Sequence, residues 1–308
     1  MGENFDARVG IVIPTLNAGE NWHTCLAAIG CQSLTPRRRL VVDSASTDQT
    51  AALAQTAGFE VHGIRRAEFN HGGTRQWAME YLDDCDIVVF LTQDAILAEP
   101  DSLRELIRCF DDRTIAVAYG RQLPHKWATP IEAHARLFNY NNTPRKKDSS
   151  TIPDLGTKAF FCSNSFAAYR RSTLIELGGF RRDLILEEDA EYAARAIIAG
   201  YANYYCASAT AYHSHDYTLG EQLARYFDLG VFDARNRWMR VQFGSHSGEG
   251  LRFIKSELNY LKQHARSRIP RAWSQTLAKL VGYRLGRIER WLPNDLKRKI
   301  SMSPRYWR

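Results

Sequence analysis

The sequence predicts an open α/β sheet with helices on both faces, and two observations support this prediction. Short runs rich in Val, Ile and Leu alternate with segments of helical periodicity through the first hundred residues. The runs are almost continuously apolar, which is typical of strands buried on both faces of a parallel sheet. Strand–helix repeats of this kind need crossover connections, and consecutive strands joined in this way pair in parallel.

The elements follow one another in a regular order. The first strand lies in RVGIVIPTLN and ends near Pro14, and the helical segment NWHTCLAAIGCQS follows. RRRLVVDSAS is the second strand, and STDQTAALAQTAG is a helix closed by Gly58, with Ser46 or Thr47 as its N-cap. FEVHGI is the third strand, a helix then runs to about Tyr81, and CDIVVFLTQDA is the fourth and most apolar strand.

The remaining chain mixes element types. NNTPRKKDSSTIPD, residues 141–154, is typical of a mobile loop, and long loops over a site often act as lids. ILEEDAEYAARAIIAGY is a helix with acids in its first turn and Gly200 at its end. After AYHSHDYT the pattern is helical. We therefore expect a sheet domain over 1–216 and a basic helical region over 217–308.

Composition excludes several classes of protein. No stretch has the roughly 18 consecutive apolar residues of a membrane-spanning helix, and MGENFDARVGIVIPT lacks the features of a signal peptide. The six cysteines contain no C-x-x-C pair, so we expect reduced thiols and no zinc site or disulfide framework. These patterns predict a cytoplasmic protein.

The positive charge is concentrated in the tail. From residue 248 onward the chain has fifteen Lys or Arg against four Asp or Glu, interleaved with aromatic residues. Such helices suit the surface of an anionic membrane. They equally suit packing on the sheet domain or on a second subunit of a homo-oligomer. No nucleic-acid-binding module is recognisable, so we do not expect nucleic acid as a partner.

Polar residues follow the predicted strands where each strand ends. Ligands of open α/β sheets bind beyond these carboxyl ends. The stretch EFNHGGTRQWA, residues 68–78, follows the third strand, and its glycines suit either a plain turn or a close backbone approach to a ligand. The candidate binding residues at these ends are Pro14, Thr15, Asn17, Asp43, Asn70, His71, Gly72, Gly73, Arg75, Gln93 and Asp94.

Two acidic features have a structural and a functional interpretation. Asp43 and Asp94 are either turn residues or, together on one edge, ligands of a nucleotide base and a divalent ion. Glu188 and Asp189 either favour the positive end of their helix or supply a general base. His213 and His215 alternate and so point the same way on an extended segment, as packed side chains or as metal ligands beside Asp94.

Five segments in this order resemble the inverting nucleotide-sugar glycosyltransferases of family 2, whose fold is called GT-A. They are VGIVIPTLNAGE, LVVDSASTDQT, FLTQDA, NSFAAYRRSTLIELGGF and LEEDAEYAARAIIAGY, and they span roughly residues 8–216. The resemblance implies an open, mostly parallel GT-A sheet flanked by helices, with the helical tail as an extension.

The resemblance also implies roles by position. Thr15 and Asp43 match positions that bind the nucleotide base, and Arg75 matches an arginine that reaches the nucleotide. Asp189 matches the catalytic base of the family's Glu-Asp motif, with Glu188 beside it.

A metal site is implied in the same way. Asp94 occupies the last position of the family's Asp-x-Asp motif, which holds Mg²⁺ or Mn²⁺, and His213 sits where some members place a metal-binding histidine. The first Asp of the motif is Thr92 here. One carboxylate of the family's metal site is therefore missing.

TQD together with FNHGGTR looks like the bacterial rhamnosyltransferase branch, whose donor is dTDP-L-rhamnose. The implied reaction is a single displacement in which Asp189 takes a proton from an acceptor hydroxyl. The implied acceptor is a glycan on a polyprenyl diphosphate at the inner face of the cell membrane, as in O-antigen synthesis. The alternatives are another donor, a UDP-sugar or a different dTDP-sugar, and a non-catalytic membrane scaffold. Only the substitution at Thr92 supports the scaffold.

Overall fold

The computed structural model describes residues 8–244 and 248–307. Residues 1–7, which belong to the segment examined for a signal peptide, lie outside this part. The strands of the described residues are β1 Val9–Thr15, β2 Arg38–Asp43, β3 Glu60–Gly63, β4 Ile87–Leu91, β5 Ile96–Leu97, β6 Ile115–Leu123, β7 Arg145–Lys147, β8 Phe166–Arg170 and β9 Ala202–Tyr212. The first four strands lie where the apolar runs predict them.

These strands form one sheet in the order β3-β2-β1-β4-β8-β6-β9-β5, with β7 paired to β9. The β3-β2-β1-β4 part is parallel, as predicted. β8 runs antiparallel to both β4 and β6, whereas β6 and β9 are parallel to each other. The sheet of the described residues is therefore parallel at one side and mixed at the other.

Helices cover both faces of this sheet. The helices of the described residues are α1 Trp22–Gly30, α2 Thr50–Thr56, α3 His71–Tyr81, α4 Ser102–Arg108, α5 Pro130–Asn139, α6 Ile152–Leu155, α7 Arg171–Glu176, α8 Glu188–Ile198, α9 Leu219–Arg235, α10 Arg237–Phe243, α11 Glu249–His264, α12 Ile269–Arg287 and α13 Asn294–Ile300. One apolar core joins α1, α2 and α4 to the sheet, and a second core joins α3, α7 and α8 to its other face. Alternate strand residues enter the two cores, so both faces are buried.

Two local predictions were wrong. The segment 141–154 is not one irregular loop: β7 pairs with β9 there, and Asp148 caps a short helical turn that leads into α6. α2 begins at Thr50, later than a cap at Ser46 or Thr47 requires. The side chain of Asp48 accepts the backbone N–H of Thr50, while the Ser46 hydroxyl donates to Asp43.

The chain divides into two units. The sheet unit comprises 8–123, 140–182 and 188–213 within the described residues, and the helical unit comprises 124–139, 183–187 and the described part of 214–307. The sheet–helix boundary expected after residue 216 thus falls near 213, and α5 groups with the later helices.

In the helical unit α9 and α12 pack backbone against backbone. A side chain at Gly230, Gly282 or Gly286 would overlap main-chain atoms of the other helix. No helix in the described part of the chain is both long and apolar enough to cross a membrane.

Candidate active site

The ends of β1 and β2 join through Thr15 and Asp43, which face each other in the parallel register. The Thr15 hydroxyl donates to Asp43 Oδ1 at 2.9 Å, and the backbone N–H of Ser46 donates to Oδ2 at 2.9 Å. The Ser46 hydroxyl also donates to Oδ1. Asp43 is 6% exposed. These three donors fix the carboxylate of Asp43 at the sheet edge.

Asn17 connects the two loops that follow these strands. Its backbone N–H donates to Ser46 Oγ, and its side-chain oxygen accepts the N–H of Thr47, each at 2.8 Å. Its φ of 46° lies in the left-handed region, which Asn tolerates better than most residues. Pro14 lies inside β1 beside Val42. Asn17 thus orders the loop after β1.

The three polar residues that follow β4, Thr92, Gln93 and Asp94, have different surroundings. The amide of Gln93 accepts the N–H of Leu16 at 2.8 Å and donates to the Leu16 carbonyl at 3.2 Å. Gln93 therefore holds the loop after β1, a role that its side chain alone does not reveal. The Thr92 hydroxyl is buried and has no hydrogen-bond partner among the described residues. Asp94 is about one-third exposed.

Asp94 lies beside His213, which follows β9. The distance from Asp94 Oδ2 to His213 Nε2 is 3.5 Å, and the histidine side chain is only 7% exposed. His213 Nδ1 is 2.9 Å from Gln122 Oε1. An amide oxygen only accepts, so Nδ1 donates this hydrogen bond, and Nε2 of a neutral imidazole then keeps its lone pair. A carboxylate oxygen and an imidazole nitrogen facing one another fit a divalent cation such as Mn²⁺.

The opening of α3 is closely packed within the protein. Asn70 is the N-cap and accepts the N–H of Gly73 at 2.7 Å. A Cβ on Gly72 would overlap the carbonyl oxygen of Arg181. The glycine at 72 is therefore required by a neighbouring backbone, whatever else approaches it. His71 begins the helix, and its carbonyl accepts from Arg75.

Arg75 and Glu188 form a buried ion pair between α3 and α8. Nη1 of Arg75 is 2.9 Å from Oε1 of Glu188, and each side chain is 6% exposed. Burial alone would raise the pKa of the Glu188 carboxyl. The charges of Arg75 and His71 and the hydrogen bond from Asn164 outweigh burial and hold that pKa below its usual value. Glu188 is thus a paired carboxylate.

Asp189, the next residue, is half-buried and accepts two backbone N–H groups. Oδ2 accepts from Asn164 and Oδ1 from Ala190, each at 2.8 Å. Of the two neighbouring acids, Asp189 is thus the more exposed, and main-chain N–H groups fix the orientation of its carboxylate.

Sequence reasoning missed Asn164. Its side chain donates to Glu188 at 2.9 Å and accepts from the Tyr169 hydroxyl at 2.7 Å, while its backbone holds Asp189. Asn164 is 4% exposed. The only signal in the sequence is a polar residue just before the apolar strand β8. That signal does not distinguish a turn residue from one that is hydrogen-bonded to two carboxylates.

Comparison with known proteins identifies the family. The family model described as glycosyl transferase family 2 matches residues 10–178. The O-antigen chain rhamnosyltransferase RfbN of Salmonella typhimurium is 46% identical over 301 residues, which are 97% of this chain and 96% of that protein. The O-antigen chain rhamnosyltransferase WbaN of Salmonella anatum is 46% identical over 298 residues, 96% of this chain and 95% of that protein.

A solved structure has the same fold. The mannosyltransferase PcManGT from Pyrobaculum calidifontis, in complex with GDP-Man and Mn²⁺, is 17% identical with a TM-score of 0.64. The match covers 94% of this chain and 89% of that one. The fold and the family expected from the five segments are confirmed. The chain is a glycosyltransferase and belongs to glycosyl transferase family 2.

Proposed function

We propose that this enzyme transfers L-rhamnose from dTDP-β-L-rhamnose to a hydroxyl of a lipid-linked glycan in O-antigen synthesis. The observation that carries the proposal is the 46% identity to two O-antigen chain rhamnosyltransferases over at least 96% of the chain. The matched length continues beyond residue 178, where the family model ends. The likeness therefore includes the helical region, which the family model does not cover.

The sheet edge supplies the proposed nucleotide site. Asp43 is held by Thr15 and Ser46, and a lone pair that remains on its carboxylate would accept the N–H of the thymine base. The loop ordered by Asn17 and Gln93 would border the base and ribose. Asn70, His71 and the start of α3 would lie along the diphosphate and the sugar, with Asn70 also capping the helix.

Asp189 is the proposed catalytic base. It takes the proton of the acceptor hydroxyl as that oxygen attacks the anomeric carbon, and the bond from this carbon to the dTDP oxygen breaks. The displacement inverts the configuration and gives an α-L-rhamnoside. Asn164 and Ala190 orient the base through their backbone N–H groups. Glu188, paired with Arg75, holds the start of α8 in place.

Asp94 and His213 are the proposed ligands of Mg²⁺ or Mn²⁺. A cation held there would supply Lewis-acid stabilisation of the negative charge on the leaving diphosphate. Mg²⁺ and Mn²⁺ in nucleotide sites usually have few protein ligands, so these two side chains would be sufficient. The buried hydroxyl of Thr92 replaces a charged ligand with a neutral polar group.

The helical unit supports a peripheral location on an anionic membrane. α12 packs on α9 through one face, and its other face presents an exposed apolar stripe. The members of the stripe are Trp273, Leu277, Leu280 and Val281 of α12 and, just beyond the helix, Ile288 and Trp291, each 40% or more exposed. Arg284 lies within the stripe and Arg287 beside it by helical spacing. Apolar insertion combined with basic flanks is the pattern of an interfacial helix.

A donor panel tests the proposed reaction. The full chain is incubated with Mn²⁺, a polyprenyl-diphosphate-linked glycan and, in turn, dTDP-β-L-rhamnose, dTDP-glucose, UDP-glucose and UDP-GlcNAc, and nucleotide diphosphate release is measured. We expect turnover with dTDP-rhamnose and little with the others. Faster turnover with a UDP-sugar overturns the donor assignment. No turnover with any donor, together with retained dTDP binding, supports the scaffold alternative.

Vesicle sedimentation tests the membrane surface. We expect the full chain to sediment with phosphatidylglycerol vesicles, and Leu277→Asp combined with Trp291→Asp to prevent this. Ile198→Asp, at a comparably exposed apolar residue of α8, is the matched control and should sediment normally. The proposal is contradicted if the wild type stays in the supernatant or if the double variant still sediments with the vesicles. If the wild type forms dimers and the double variant does not, the stripe is instead a contact surface between two copies of the chain.

A further inference from the structure

Gln122, His213 and two serines form a closed ring of hydrogen bonds in the sheet unit. His213 Nδ1 donates to Gln122 Oε1 at 2.9 Å, and Gln122 Nε2 donates to Ser163 Oγ at 2.8 Å. The Ser163 hydroxyl donates to Ser165 Oγ at 3.3 Å, and Ser165 Oγ lies 3.4 Å from His213 Nε2. Every member has a partner on each side, so the ring satisfies four polar side chains.

The ring has one direction of donation. Gln122 offers its oxygen to the histidine and its NH₂ group to Ser163, and Ser163 in turn donates to Ser165. With Nδ1 protonated, Nε2 of a neutral imidazole keeps its lone pair, which accepts from Ser165 in the metal-free protein and would turn to a cation on the side that faces Asp94. A proton on Nδ1 and a lone pair on Nε2 is the tautomer that a metal ligand at Nε2 requires.

Backbone pairing between β6 and β9 holds Gln122 close to His213. Gln122 lies in β6 opposite Ala211 of β9, and the backbone N–H of His213 donates to the carbonyl of Leu123 at 2.9 Å. Gln122 is 2% exposed and His213 is 5% exposed. Water therefore competes little for the Nδ1 proton, and the amide of Gln122 has little room to turn.

We propose that Gln122 is a positioning residue that fixes the tautomer and orientation of His213, so that Nε2 can bind the divalent cation together with Asp94. This inference rests on the proposed metal site, which itself requires only Asp94 and His213. Groups that hold the far nitrogen of a ligating histidine typically change metal affinity about 10- to 100-fold when they are removed.

Two measurements test the role of Gln122. The first is the ¹⁵N NMR spectrum of histidine-labelled, metal-free full chain, in which protonated and unprotonated ring nitrogens have different shifts. We expect the Nδ1–H tautomer for His213 in the wild type and a shift towards Nε2–H in Gln122→Met, which has similar length but no acceptor. A wild-type His213 in the Nε2–H form overturns the proposal, and this result needs no variant.

The second measurement is Mn²⁺ binding to the full chain with saturating dTDP, followed by the electron paramagnetic resonance signal of free Mn²⁺. We expect Gln122→Met to weaken binding about 10- to 100-fold, and Gln122→Glu, which keeps an acceptor for Nδ1–H, to bind within a few-fold of the wild type. Gln32→Leu is the matched control, since Gln32 is a buried amide bonded to Ala28 and Glu99. It should bind Mn²⁺ normally.

The outcomes separate the two proposals. If the wild type binds no Mn²⁺, or if Asp94→Ala binds it as tightly as the wild type, the proposed metal site itself is ruled out. Wild-type binding that depends on Asp94 and His213 but is unchanged in Gln122→Met leaves the metal site intact and overturns the role of Gln122. Equal weakening in Gln122→Met and Gln122→Glu also overturns it, because the acceptor then does not matter.

Discussion

Arg75 on α3 and Glu188 on α8 form an ion pair whose two side chains are almost completely buried. The pair joins the glycine-containing start of α3 to the acidic start of α8, although the two residues lie more than a hundred positions apart in the sequence. Because Asp189 follows Glu188 directly, the pair also fixes the position of the proposed base. A nucleotide that recruited Arg75 would have to compete with Glu188 for it.

Removal of Arg75 should strongly destabilise the fold. Arg75→Met leaves the Glu188 carboxylate buried without its cation, and breaking a buried pair in this way typically costs about 3–5 kcal/mol. Urea unfolding of the wild type and the variant measures the difference. Combining Arg75→Met with Glu188→Met should recover much of the loss, because no charge then stays buried.

An exposed ion pair provides the control for this prediction. Arg65 and Glu68 are also paired, but their side chains are 82% and 46% exposed. Exposed pairs contribute roughly 0–1 kcal/mol, so Arg65→Met should change the free energy of unfolding only slightly. Equal losses in Arg65→Met and Arg75→Met would contradict the interpretation of the buried pair.

Asp189→Asn should remove catalysis while preserving the site. The asparagine oxygen still accepts one backbone N–H, but the amide takes no proton, and loss of a general base typically lowers kcat about 10²- to 10⁴-fold. Transfer from dTDP-rhamnose measures kcat, and calorimetry measures dTDP binding, which should remain at the wild-type level. A variant with normal kcat would assign the base to another residue.

The position of the sheet edge at Thr15 and Asp43 was predictable from the sequence. The strands β1 and β2 end at Thr15 and Asp43, as their apolar runs indicate, because a strand buried on both faces stops where polar residues begin. The parallel order of β1, β2 and β4 then brings these ends to one edge. Local pattern and topology together were sufficient for this part.

The partners of the polar side chains were not predictable. Gln93 is bonded to Leu16, and Gln122 is bonded to His213. The sequence around an amide side chain does not indicate which distant backbone group or imidazole it will bond, because tertiary packing decides the partner. Likewise, β7 lies in a segment whose composition is typical of a loop, because its pairing with β9 does not depend on local propensity.

Lys147 of β7 should make the stability of the protein depend on pH. Its ammonium group donates to the Tyr119 hydroxyl and to the Phe161 carbonyl, and burial lowers the pKa of Lys147 from its ordinary value to about 7. The unfolded chain keeps this proton up to about pH 10.4. Between these values the unfolded state binds more protons, so the free energy of unfolding rises with pH.

The difference between the wild type and Lys147→Met isolates this effect. Urea unfolding at pH 7, 8 and 9 should show the wild type gaining stability relative to the variant, with a slope that approaches about 1.4 kcal/mol per pH unit above pH 8. Lys146→Met, at the neighbouring half-exposed lysine paired with Asp112, is the control and should show no such slope. Parallel pH curves for the wild type and Lys147→Met would exclude a buried lysine with a lowered pKa.

Three glycine-to-alanine substitutions should separate close packing from helix propensity. A methyl group at Gly72 overlaps the carbonyl oxygen of Arg181, so Gly72→Ala must displace α3 or the Arg181 backbone. At Gly73 the new methyl would lie 3.2 Å from Asn70 Oδ1, and a small shift of that side chain relieves the contact. Gly30 of α1 has nothing within 4 Å of an added Cβ.

We therefore expect a graded series in thermal unfolding. Gly30→Ala should stabilise the protein by roughly 0.5–1 kcal/mol, because alanine loses less conformational entropy in a helix than glycine does. Gly73→Ala should have a small effect of either sign, and Gly72→Ala should destabilise by about 1–3 kcal/mol. Only Gly72→Ala should also lower kcat, since the displaced helix carries Arg75, which holds Glu188 beside the proposed base. Gly72→Ala with wild-type stability would mean that Arg181 does not pack against α3 in solution.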